Sequence, residues 1–129
     1  MPLVRISFRE GKSTEYRRAV AEEVHAALVE VASVPEQDRF QVLTEHAPGD
    51  FIYDPTYLGI NRTDDIVAIQ ITLNQRTQPV KLAIYKTIAE RLAKRPGMRP
   101  EDVLISLVGV APEDWSFGAG KAQYVKAEK

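Results

Sequence analysis

The sequence predicts a two-layer α+β fold in which two β-α-β units form a four-stranded mixed sheet with both helices on one face. Three observations carry that prediction. Hydrophobic spacing changes from a period of two to a helical period and back again, twice, in the same order. The joint before the last strand of each unit is alike, Pro35-Glu36-Gln37-Asp38 and Pro100-Glu101-Asp102, and the two prolines lie 65 residues apart in a chain of 129. Apolar residues make up 44% and charged residues 27%, enough to bury a core without disulfides, which the absence of cysteine rules out.

The first unit, residues 2–46, opens on Leu3 to Arg9, where Val4, Ile6 and Phe8 alternate with Arg5, Ser7 and Arg9 as in a half-buried strand. Glu10-Gly11-Lys12 makes a turn. Ser13 is the expected N-cap, with Glu15 near the positive end of the helix dipole. Val20, Val24, Ala27, Leu28 and Val31 fall at helical spacing, and Pro35 is expected to end the helix. Residues 39–45 read as the second strand. The linker, residues 47–65, contains Gly, Pro and Asp punctuation and three aromatics. It is long for a plain connection and is expected to carry function.

The second unit, residues 66–110, begins with IVAIQITL, whose near-continuous apolarity predicts a strand covered on both faces. Thr77 is the expected N-cap of the second helix, and Pro79 is tolerated because first-turn amides have no intrahelical partner. Val80, Ile84, Ile88 and Leu92 form its buried stripe, Pro96-Gly97 stops it, and residues 103–110 read as the fourth strand. Right-handed crossovers make the two strands within each unit parallel. The tail, residues 111–129, sets turn residues between aromatics and is expected to form a short C-terminal hairpin. All of this fits a single domain, residues 1–129. The sheet face away from the helices, apolar in part, needs a cover, which a symmetric oligomer supplies.

Composition also excludes. A formal charge of −1, from 17 basic and 18 acidic residues, gives no electrostatic case for nucleic acid or an anionic membrane as partner. Apolar runs are too short to span a bilayer, and the N-terminus lacks the long apolar stretch of a secretory signal, so the expected compartment is cytoplasmic. Without cysteine there is no thiol catalysis. His25 and His46 stand outside any metal-ligand spacing and read as surface residues. Glu22-Glu23 reads as a solvated helix face and Asp64-Asp65 as a strand-entry turn.

An N-terminal Met-Pro-Leu, two β-α-β halves of this length and no cysteine resemble the tautomerase superfamily. Pro35-x-x-Asp38-Arg39-Phe40-Gln41, His46-x-Pro48-Gly49, Leu58-Gly59-x-x-Arg62 and Asp114-Trp115-Ser116-Phe117-Gly118 resemble its malonate semialdehyde decarboxylase group. The resemblance runs from Pro2 to Tyr124. It implies a tautomerase-like fold, a homotrimer, no cofactor, and an isomerase or lyase acting on a small carboxylated carbonyl substrate. Pro2 would be the acid–base group once Met1 is removed. Asp38 would assist it and orient water, and Arg76 would hold the substrate carboxylate and polarise its carbonyl. Trp115, Phe117 and Tyr124 would form aromatic walls. One position departs from the pattern: Asn74 stands where the decarboxylase group carries a second arginine, which sets decarboxylation against plain keto–enol tautomerisation of a phenylpyruvate-type substrate. A non-catalytic binding or signalling protein on the same fold is the reading of another class.

The implied chemistry is sound for these residue types. A free α-amino group titrates at about 7.7 to 8.0, close to the range where an acid–base catalyst is most useful. Arginine nearby disfavours its protonation and a carboxylate favours it. The planar guanidinium of Arg76 suits a carboxylate or an enolate oxygen. Aromatic walls exclude water and strengthen both effects. If Met1 stays in place, the Pro2 nitrogen is a tertiary amide and has no basicity. Arg62, in the linker, is a further candidate for contact with substrate or a neighbouring subunit.

Overall fold

Alternation in the sequence becomes alternation across a sheet. In chain order the elements are β1 (Pro2–Arg9), α1 (Thr14–Val31), β2 (Phe40–His46), β3 (Val67–Asn74), α2 (Gln78–Lys94) and β4 (Val103–Val110). They are seen in a computed structural model that describes residues 1–125. The strands lie in the order β2-β1-β3-β4. β1 pairs parallel with β2, β3 pairs parallel with β4, and the two units meet antiparallel at β1 and β3. The expected pair of β-α-β units is therefore the observed architecture.

Both helices cover one face. Val4, Ile6 and Phe8 of β1 and Ile69, Ile71 and Leu73 of β3 meet Val20, Val24 and Leu28 of α1 and Ile84, Ile88 and Leu92 of α2 in one core. Each such side chain contributes about 1.5–3 kcal/mol by leaving water. Helix starts follow local chemistry: the Ser13 hydroxyl accepts from the Tyr16 amide at 3.1 Å. Thr77 occupies the N-cap of α2 in extended conformation, but its side chain makes no capping bond. α1 ends at Val31, ahead of Pro35, because Ser33 turns left-handed (φ 57°). The Ala32 and Val34 amides then close back on the Leu28 carbonyl at 3.0 and 3.4 Å.

Several expectations are corrected. Within the single chain β3 is buried on one face only: Val67, Ile69 and Ile71 are buried, Ala68 and Thr72 are half-buried, and Gln70 is exposed, so cover on the second face has to come from another chain. Small Ala68 made an alternating strand look continuously apolar. No hairpin follows β4 among the described residues; residues 126–129, the end of that predicted element, lie outside them. A single 3-10 turn at Pro112–Asp114 and positive φ angles at Gly118, Ala119 and Gly120 break the chain direction where a strand would be needed. His25 is buried, not superficial, and its Nε2 lies 2.8 Å from the Glu36 carbonyl. Glu22 and Glu23 are not a merely solvated face, since they pair with Arg95 and Arg91 across the two helices. Asp64 and Asp65 pair with Arg9 and Lys12.

The other face of the sheet is uncovered in the single chain. It carries Phe40, Val42, Leu104 and Val108, which are 50%, 42%, 50% and 37% exposed, beside the polar Arg5, Ser7 and Gln70. In the linker, Arg62 does not reach outward. Its Nη1 donates to the carbonyls of Asp54, Tyr57 and Ile60 at 3.2, 3.0 and 3.4 Å and so holds its own loop closed. Among the described residues no helix is long and apolar enough to cross a membrane.

Candidate active site

Strand directions decide what meets at each end of the sheet. β1 and β2 begin at the same end, and there β3 and β4 finish, so Pro2 pairs with Leu73, Leu3 with Phe40 and Asn74 with Val110. α1, returning over the sheet, ends there too. Residues remote in sequence thus converge: the N-terminus, Asp38 ahead of β2, the Asn74–Arg76 turn after β3, and the segment after β4.

Asp38 sits on a turn closed by its own amide to the Pro35 carbonyl at 3.0 Å. Its side chain is 11% exposed, and Oδ2 lies 3.8 Å from the α-amino nitrogen, which in this chain belongs to Met1. Oδ1 is buried and has no hydrogen-bond partner among the described residues. An orphaned carboxylate oxygen costs on the order of 1–3 kcal/mol or more, so it marks a place where something other than fold stability has set the residue. The second unit supplies a contrast. Asp102, just before β4 and 1% exposed, accepts from the Thr63 amide at 2.7 Å and the Thr63 hydroxyl at 2.8 Å, with Arg99 Nη1 at 3.5 Å.

The amine itself is perturbed. Burial pulls its pKa below the ordinary 8.0, and the Arg76 charge acts the same way, while Asp38 opposes both by charge and hydrogen bonding. Arg76 is fixed: Nε and Nη2 donate to the Ala32 carbonyl at 3.2 and 3.0 Å, and Nη1 donates to the Asn74 carbonyl at 2.7 Å. Ala32 is the C-cap of α1, whose last turn carries no basic residue. Arg76 therefore supplies the positive charge that a helix C-terminus favours. These three bonds use three of the five guanidinium N–H groups. A longer contact from Nη1 reaches the Gln75 carbonyl at 3.5 Å.

The turn that carries Arg76 is seated on Gly109. A Cβ there would fall 2.4 Å from Gln75 Nε2, so only glycine lets the Gln75 side chain lie across β4. The aromatic residues form one row. Trp115 stacks on Phe117 at 5.5 Å, Phe117 stacks on Phe40 at 6.4 Å, and Tyr124 meets Phe117 edge-on at 4.9 Å. Burial, and then the Asp38 charge, raise the Tyr124 phenol above its ordinary 10.0. The Trp115 indole N–H donates to Asn74 Oδ1 at 2.8 Å.

Pro2, Leu3, Phe40, Trp115, Ser116 and Phe117 enclose a cavity of about 210 Å³ at this end. Pro2 is buried at the head of β1. Of the residues expected from the sequence, Pro2, Trp115 and Phe117 line the cavity. Asp38 and Arg76 act on the neighbouring amine, Asn74 holds the tryptophan, and Tyr124, 41% exposed, closes the aromatic row. Leu3, Phe40 and Ser116 were missed, although Leu3 and Phe40 could be placed once β1 and β2 are paired in parallel. A larger cavity, about 560 Å³, lies at the opposite end of the sheet among Leu58, Ile60, Tyr85 and Leu104. Its charged lining residues are Arg62, already tied to its own loop, and Glu101, paired with Arg99. No group of three or more His, Asp or Glu side chains suited to a metal occurs among the described residues.

Two β-α-β units thus bring an amine, a carboxylate and a guanidinium to one end of the sheet, groups able to move a proton and to hold an anion. A family model described as "Tautomerase enzyme" matches residues 38–118, a second of the same description matches residues 2–61, and the chain belongs to this tautomerase family. It is similar to the probable tautomerase YusQ of Bacillus subtilis (strain 168), with 42% identity over 98% of this chain and 100% of that one. Among solved structures it is similar to FG41 malonate semialdehyde decarboxylase inhibited by 3-bromopropiolate. That likeness has 45% identity and a TM-score of 0.88, covering 95% of this chain and 93% of that one. A second malonate semialdehyde decarboxylase is 30% identical with a TM-score of 0.90, covering 95% of each chain. The protein is thus a tautomerase-superfamily enzyme with a decarboxylase-like structure.

Proposed function

We propose that, once Met1 is removed, the ring nitrogen of Pro2 is the acid–base group of a cofactor-independent enzyme acting on small carboxylated carbonyl compounds, with decarboxylation of malonate semialdehyde as its leading activity. The observation that carries this reading is the buried Oδ1 of Asp38, without a partner among the described residues, on a carboxylate whose other oxygen lies 3.8 Å from the Met1 amine, the group next to Pro2. The two similar decarboxylases support it.

In this reading the N–H groups left on Arg76 hold the substrate carboxylate near the site of bond breaking. The protonated Pro2 nitrogen donates to the aldehyde oxygen. The bond to the carboxylate carbon breaks, carbon dioxide leaves, and its electron pair passes into an enol whose oxygen takes the Pro2 proton. Reprotonation at carbon gives acetaldehyde. In hydration, Asp38 takes a proton from water as its oxygen adds to the carbonyl carbon, and the carbonyl oxygen takes the Pro2 proton. The Trp115–Phe117 wall keeps bulk water from the cation.

A second reading, keto–enol tautomerisation of a phenylpyruvate-type acid, is favoured by Asn74, a neutral amide where the decarboxylase pattern has a second cation. There neutral Pro2 takes the enol proton and delivers it to carbon. The uncovered sheet face, with Phe40 and Leu104 each 50% exposed, supports assembly as a homotrimer.

The test begins with intact-mass measurement of the N-terminus. The same sample is then assayed for acetaldehyde release from malonate semialdehyde and for loss of the enol absorbance of phenylenolpyruvate. Pro2→Ala is expected to lower kcat/KM by about 10²–10⁴. Full activity of Pro2→Ala on both substrates would remove the mechanism, and activity on the enol alone would select the second reading.

A further inference from the structure

We propose that Asn74 is a positioning residue that acts through Trp115 and restricts the site to substrates bearing one carboxylate. The substrate class rests on the functional reading above, whereas the positioning role stands on geometry alone.

Asn74 joins two sides of the site. Its backbone carbonyl accepts from Arg76 Nη1 at 2.7 Å, and its side-chain oxygen accepts from the Trp115 indole at 2.8 Å. The orientation of the amide is fixed by chemistry, since an indole N–H only donates and must face the oxygen. Asn74 is the last residue of β3, paired with Val110, so the acceptor is carried by a rigid strand. Trp115, by contrast, follows a single 3-10 turn and belongs to no strand or helix. The bond to Asn74 ties its half-buried ring to the sheet. Phe117 stacks on that ring and on Phe40 of β2, so this hydrogen bond anchors to β3 the end of the row that β2 does not hold.

The same bond settles what Asn74 offers a ligand. With its oxygen committed to the indole, only the neutral –NH₂ is left. The side chains whose charges act on the amine are Asp38 and Arg76. Arg76 gives Nε, Nη1 and Nη2 hydrogens to the Ala32 and Asn74 carbonyls, with a longer contact from Nη1 to Gln75, and so keeps at most two N–H groups, enough for one carboxylate. When the terminal amine is neutral, a second carboxylate would enter a half-dry cavity in which Asn74 offers it no charge, which disfavours binding.

The chain has one tryptophan, so its fluorescence reports Trp115 directly. Wild type, Asn74→Ala, Asn74→Asp and Asn74→Arg are compared by emission maximum, acrylamide quenching and calorimetric binding of propionate and malonate, two three-carbon acids differing by one carboxylate. In wild type at about pH 9, where the terminal amine is neutral, propionate is expected to bind more tightly than malonate. Asn74→Ala is expected to shift emission to the red, raise quenching and weaken propionate by up to about tenfold, the loss of one hydrogen bond's worth of order. Asn74→Asp keeps the acceptor and is expected to retain wild-type emission while weakening propionate through its charge. Asn74→Arg is expected to reverse the preference toward malonate. Should Asn74→Ala fail to fold by circular dichroism, Asn74→Ser withdraws the acceptor in its place. Unchanged emission and quenching without the acceptor overturn the inference, as does wild-type protein that prefers malonate or binds neither acid. An inactive enzyme whose Asn74 variants show the expected emission changes would instead count against the functional reading alone.

Discussion

Replacing Asp38 by Asn separates what stabilises this protein from what makes it work. The carboxylate has one buried oxygen without a partner and the other 3.8 Å from the amine. The orphan costs about 1–3 kcal/mol, more when charged. The ion pair returns about 1 kcal/mol in a water-like setting and about 4 kcal/mol in a drier one. That return requires a charged amine, and burial and Arg76 hold this amine's pKa below 8.0. At about pH 9 the amine is neutral and the attraction is gone, whereas the desolvation cost stays. Asp38→Asn keeps the shape and removes the charge. It is expected to stabilise the fold by about 1–2 kcal/mol at that pH, a rise of roughly 4–8 °C in Tm for a chain of this size. At a pH below the amine's folded pKa, where the ion pair forms, the gain should shrink toward zero or change sign. In the processed enzyme the same substitution should lower kcat/KM by about 10². Thermal unfolding followed by circular dichroism at both pH values, with a parallel assay, measures all of this. A variant less stable than wild type at the higher pH, or one as active as wild type, would refute the reasoning.

Two further predictions concern the charges on either side of that pair. Followed by NMR of the isotopically labelled amine, Arg76→Gln should raise the N-terminal pKa and Asp38→Asn should lower it, because each removes a charge acting in the opposite direction. The sign for stability follows: an amine depressed on folding contributes stability fully present above 8.0 and lost as pH falls through the folded value. Shifts in the reverse directions would show that these side chains do not face the amine. Asp102→Ala should destabilise by about 3–5 kcal/mol in urea unfolding, since it strips a buried carboxylate from the Thr63 amide, the Thr63 hydroxyl and Arg99. A loss below about 1 kcal/mol would mean that the Thr63 groups find other partners.

Much of the fold was legible because the core faces one way. Val4, Ile6 and Phe8 alternate, and Ile84, Ile88 and Leu92 recur at helical spacing, so both periods announce which side is buried. β3 misled because Ala68 is apolar yet stands on the open face, where its small size rather than burial explains it. The hairpin misled because aromatics between glycines suit a stacked row as well as paired strands. Convergence of Asp38, Asn74, Arg76 and Trp115 could be expected from the family pattern, but not its terms. That Arg76 caps α1, and that Asn74 grips the indole, depends on where α1 ends and how the turn sits on Gly109. No spacing rule encodes those contacts.

The unequal treatment of Asp38 and Asp102 also grades the molecule mechanically. At one end of the sheet a buried carboxylate laces the loop before β3 to the start of β4, so opening there must break several bonds at once. At the other end the corresponding aspartate has one long ion pair with the N-terminal amine, and the segment after β4 is tied to β3 by the indole bond and to β2 by the stacking of Phe117 on Phe40. Local opening, whose cost varies from nearly nothing to that of global unfolding, is therefore expected to be cheaper in the Trp115–Phe117 segment beside Pro2 than at Asp102. The mouth of the cavity can breathe, admitting and releasing small acids, while the core between sheet and helices stays shut.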